Sequence, residues 1–88
     1  MKRNNAFIKR KIGTQYVIVA TGAATKQFNG MISVNSTGSF IWDLLENEMT
    51  LTELVTAITE AYEIDAETAK THAEAFLKTL REVGAVEG

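Results

Sequence analysis

The one imidazole in this chain belongs to His72, and no cysteine accompanies it. A structural zinc site takes about four nitrogen or sulfur donors, so a lone histidine leaves a metal centre far short of ligands. Nucleophilic catalysis is equally unsupported, because a serine needs a base within hydrogen-bond reach and no nucleophile elbow is spelled here. Ser36 and Ser39 stand at the start of a helical repeat, which invites comparison with the phosphopantetheine serine of carrier proteins. The strand-rich first third does not suit that all-helical fold. The carboxylates fall mainly at helix-surface spacings, whereas an acid-base pair needs environments that push the two pKa values apart. Thr21-Gly22 and Asn29-Gly30 are isolated turn glycines and form no phosphate-binding fingerprint. The chain is therefore expected to have no catalytic residue, no metal and no organic cofactor, and to be no enzyme.

The elements that position these residues are legible from periodicity. In residues 6 to 20, Ile8 and Ile12 share a face across Arg10, while Tyr16, Ile18 and Ala20 alternate with Val17 and Val19, the pattern of a hairpin. Gly13-Thr14 lies between the two runs, and glycine first suits a type II′ turn. Thr21 to Thr25 reads as loop, with a weakly encoded extra strand near Thr25 to Phe28. Asn29-Gly30 is a second turn signal that leads into a strand from Met31 to Asn35. Ile32 and Val34 face the core on that strand, and Met31 and Ser33 point the other way. Asn35 or Ser36 caps a helix running roughly from Thr37 to Asn47, with Phe40, Ile41, Leu44 and Leu45 on one face and Trp42 packing on its flank. Thr50 and Glu53 have capping-box spacing ahead of an amphipathic helix from Leu51 to Tyr62. Asp65 caps a third helix, whose stripe of Ala69, Ala73, Phe76, Leu80 and Val83 is widened by Leu77 and stopped by Gly84. Phe76 is a core anchor first and a groove wall second, and His72 at the margin of the stripe is a helix-surface residue before it is a groove contact. Three strands followed by three helices make an α+β domain.

Composition sets the outer bounds. Eighty-eight residues, 45% hydrophobic and 23% charged, make one globular domain spanning residues 1-88. The longest apolar run is too short for a membrane span, and Met1-Lys2-Arg3-Asn4-Asn5 lacks the apolar stretch of a signal peptide. A cytoplasmic protein with no membrane partner is expected. The net charge of -2 conceals a segregation. Residues 1 to 26 hold six bases and no acid, whereas residues 27 to 69 hold eight acids and no base. The helix from Leu51 to Tyr62 carries Glu53 and Glu60 without a base, so it would repel phosphates, and no nucleic-acid partner is expected. The free outer edge of the strand from Met31 to Asn35 offers donors and acceptors to an added peptide strand.

The run Val34-Asn35-Ser36-Thr37-Gly38-Ser39-Phe40-Ile41-Trp42-Asp43-Leu44-Leu45 resembles the PqqD-like family. Tyr16 to Val19, Asn29 to Ile32, Thr52 to Tyr62, and Phe76-Leu77 through Leu80 to Gly84-Ala85-Val86 resemble further family elements in the same order. Members of that family are small recognition domains for the leader peptides of ribosomally made, enzymatically modified peptides. The resemblance implies a winged-helix-like arrangement and a noncatalytic peptide chaperone that presents its precursor to a modifying enzyme, often of the radical S-adenosylmethionine kind. Pyrroloquinoline quinone biosynthesis is the founding context of the family, and related domains serve other products. In the family the leader adds as a strand beside the third strand and packs against the third helix. Carried onto this sequence, those elements are Met31, Ile32, Ser33, Val34 and Asn35, with Ala69, His72, Ala73 and Phe76. The rival expectation is a structural module that pairs with a second copy of itself through the same strand edge.

Overall fold

The computed structural model describes residues 1-26 and 28-88. Strands β1 (Lys2–Arg3), β2 (Phe7–Ile12), β3 (Gln15–Ala20) and β4 (Met31–Val34) precede helices α1 (Ser36–Leu44), α2 (Leu51–Tyr62) and α3 (Ala66–Glu82), and β5 (Val86–Glu87) closes the order. Strands β2, β3 and β4 form an antiparallel sheet in that spatial order, so β2 and β4 are its two edges. This is the expected α+β layout of three antiparallel strands and three helices. The two-stranded ribbon of β1 and β5 is an addition that the sequence did not announce.

The hairpin turn fixes the sheet. Ile12 pairs with Gln15 across Gly13-Thr14, Gly13 has φ +65°, and Thr14 is not left-handed, which agrees with a type II′ turn. The pair that closes such a turn exchanges hydrogen bonds, and bonded and unbonded pairs then alternate along the ladder. Ile12–Gln15, Arg10–Val17 and Ile8–Val19 are therefore the bonded pairs. The Thr21 N–H donating to the Ala6 carbonyl at 2.7 Å continues the same alternation. Residues Tyr16 and Ile18 must then turn their amides toward β4, where they meet Val34 and Ile32.

Side chains follow from this register. Phe7, Ile18 and Ile32 face the helices, Phe7 and Ile18 being buried and Ile32 half-buried against the core. Trp42, Leu45, Leu54, Ile58, Leu77 and Leu80 complete that core from the helices. Between β3 and β4 the expected loop is a short 3-10 helix over Gly22–Lys26. Of the suggested extra strand, Thr25 and Lys26 belong to that helix, Phe28 is not in a strand, and Gln27 lies outside the described residues. The Phe28 ring packs on Phe7 with centroids 6.5 Å apart.

The caps appear where the polar residues promised them. Asn35 Oδ1 accepts from Gly38 N–H at 2.8 Å, so Asn35 and not Ser36 is the cap of α1. Helix α1 ends three residues before Asn47, because the amides of Glu46 and Asn47 tighten onto the carbonyls of Asp43 and Leu44. Thr50 and Glu53 close a reciprocal capping box. At the end of α3, Gly84 at φ +78° lets its own N–H reach the Arg81 carbonyl and that of Ala85 reach Leu80. That pair of bonds is a Schellman closure. The turn sends the chain into β5, where Val86 pairs with Arg3.

Candidate functional site

Strand β4 is where sheet, α1 and α3 converge. Because Ile32 and Val34 direct their amides to β3, the alternation leaves the N–H and C=O groups of Met31 and Ser33 aimed at the free edge. Beside that edge lies an open groove of about 310 Å³. Ser33, Val34, Asn35, Thr37, Gly38 and Ile41 form one wall, and His72, Ala75, Phe76 and Thr79 on α3 form the other. The lining contains no carboxylate, ammonium or guanidinium. Main-chain hydrogen bonding along the edge, side-chain hydrogen bonding to Thr37, His72 and Thr79, and apolar contact with Val34 and Phe76 are what this arrangement offers a guest.

The wall on α3 follows from helix geometry, since residues 72, 75, 76 and 79 fall at the spacings that share one face. Phe76 leans over α1 at Gly38, where a Cβ would stand 3.3 Å from the ring and 3.3 Å from the capping Asn35 Oδ1. The missing side chain of Gly38 is therefore what lets the ring settle onto the α1 backbone. Thr68 donates to the Asp65 carboxylate that caps α3, and those hydrogen bonds hold its carboxyl below the usual Asp value.

The structure brings together Ser33, Val34, Asn35, His72 and Phe76 of the nine residues expected here. Met31 and Ile32 lie farther along the same strand, outside the groove lining. Ala69 and Ala73 are corrected to core positions. Both are fully buried beneath α3, because the inward line of that helix runs through Ala69, Ala73, Leu77 and Leu80. The same phase makes Phe76 half-buried instead of the central anchor. Thr37, Gly38, Ile41, Ala75 and Thr79 were missed as lining residues. The signals available were the helical offset of Ala75 and Thr79 from His72, and a glycine in the first turn of α1.

No group of three or more metal-ligating side chains occurs among the described residues. No helix there is long and apolar enough to cross a membrane.

A small α+β domain whose β4 edge is unpaired among the described residues, beside a neutral groove, has the build of a module that grasps extended chains. The family model described as Coenzyme PQQ synthesis protein D (PqqD) matches residues 15–86, and the chain belongs to that family. Among solved structures it is similar to TbiB1 in complex with the TbiA(beta) leader peptide, at 28% identity and a TM-score of 0.77. That match covers 100% of this chain and 96% of the other. The search of curated proteins found no match.

Proposed function

We propose that this protein is a noncatalytic recognition element that binds the leader of a ribosomally synthesised precursor peptide and presents it to a separate modifying enzyme. The observation that carries the proposal is the β4 edge, unpaired among the described residues, with the backbone groups of Met31 and Ser33 turned outward beside the Phe76 groove. Family membership and the likeness to a protein bound to a leader peptide support it. A leader added as the next strand would alternate its side chains between the groove and the outer face beside Met31 and Ser33. Iron-sulfur chemistry of the radical S-adenosylmethionine kind would fall to the partner, because such clusters rest on cysteine ligands that this chain lacks. This protein would accelerate modification by raising the effective concentration of the peptide core beside the enzyme.

The test is amide chemical-shift mapping with the precursor encoded nearest to this gene, followed by hydrogen exchange on the bound peptide. Shifts should run along Met31 to Asn35 and the His72–Thr79 face, with protected peptide amides and an affinity on the order of micromolar. Shifts confined to Leu51 to Tyr62, or peptide amides that exchange as freely as before, would refute strand addition.

A further inference from the structure

Among the described residues, four large hydrophobic side chains stay exposed, and three of them share the outer face of the sheet. Ile8 is 40% exposed, Ile12 54% and Met31 63%. The register sets Ile8, Val19 and Met31 in one row across the strands and Arg10, Val17 and Ser33 in the next. An exposed apolar row beside a lone arginine on a small protein is a candidate interaction surface. Arg10 stands between Ile8 and Ile12 and forms no ion pair among the described residues, whereas Lys9 on the opposite face is held by Asp43 at 2.7 Å. No acid occurs anywhere in residues 1 to 26 to balance it. Two copies meeting symmetrically through this face would bury two arginines and supply no carboxylate to pair with them. The complementary surface is an apolar one that bears carboxylates.

The face also runs into the β4 edge. Met31 and Ser33 lie on it, so a strand added to β4 would place its outward side chains next to theirs and widen the sheet by one strand. Resting on the leader-binding function proposed above, we infer that the outer sheet face docks the modifying enzyme through an apolar, acidic surface of that enzyme, and that a bound leader forms part of the docking surface. Enzyme recruitment is thereby coupled to leader occupancy.

The experiment titrates the modifying enzyme encoded beside the precursor onto this protein, with and without leader, for wild type, Ile8→Ser, Arg10→Glu and Ile12→Ser. These side chains are exposed on β2, with β3 between them and β4, and circular dichroism checks that each variant is folded. Arg10→Glu should weaken enzyme binding by about tenfold and Ile8→Ser by somewhat less, while leader affinity stays within about twofold of wild type. Wild-type affinity for the enzyme should fall with added salt and rise with leader bound. Equal enzyme affinity across all four proteins would overturn the proposal. So would a wild-type dimer in sedimentation that Ile8→Ser dissolves, because the occupant would then be a second copy. A leader that fails to bind wild type would refute the proposed function instead, and the titration of leader-free protein would still decide whether this face holds the enzyme.

Discussion

Strand β2 meets solvent with Arg10 and Lys11, Lys9 being drawn inward to Asp43, whereas β4 meets it with Met31 and Ser33 and carries no charge at all. Both are edges of one sheet, and both turn alternate amides outward. Charged side chains, lysine above all, are a common protection of an edge against unwanted strands, because an incoming chain must displace their hydration. One edge of this sheet is guarded and the other is left open. The open one is the edge with a neutral groove beside it, so on the function proposed above a visiting strand would be admitted there and refused at β2.

The sharpest way to break this contrast is to blunt the open edge. Ser33→Pro removes an outward N–H without disturbing the bonds from Ile32 and Val34 to β3, and proline is tolerated on edge strands. Leader affinity measured by calorimetry should fall roughly ten- to hundredfold with the fold intact, as a lost bond and a ring in the path of the peptide combine. Unchanged affinity would mean that the edge is not the binding element. Next in size is Phe76→Ala, which opens the groove wall. Full burial of a phenylalanine would imply a loss of about 3 to 5 kcal/mol, and half-burial reduces the expected destabilisation to about 2 kcal/mol in urea unfolding. A loss at the upper end would show that the ring belongs to the core after all. The smallest effect comes from removing the guard. Replacing Arg10 and Lys11 together with threonine should permit weak self-association, visible in sedimentation on the order of 100 μM, through β2. A protein that stays monomeric would show that charge is not what protects this edge.

Much of this arrangement was readable from local chemistry. Gly13-Thr14, Asn35, the Thr50 and Glu53 pair, Asp65 and Gly84 each act within a few residues of their own position, and each marks the element that it suggested. The orientation of Ile32 and Val34 inward and Met31 and Ser33 outward likewise follows from a period of two. The phase of α3 was harder. Ala69, Ala73, Phe76 and Leu80 satisfy helical spacing as well as Ala69, Ala73, Leu77 and Leu80 do, and only the packing of α3 on its neighbours selects Leu77. The groove wall suffered similarly, because Thr37, Gly38, Ala75 and Thr79 are small or polar and leave little trace in a hydrophobic pattern. The β1 and β5 ribbon was invisible, since two-residue strands have no periodicity to detect.

That ribbon has a consequence for the order of folding. Lys2 and Arg3 find their partners at Glu87 and Val86, almost the whole chain away, whereas Ile12 and Gln15 meet across a turn of two residues. Contacts between distant positions carry a larger loop-closure cost and form late, while hairpins close on a scale of about microseconds. The β2–β3 hairpin is therefore expected to form early and the β1–β5 ribbon late, like a clasp fastened around a sheet already in place.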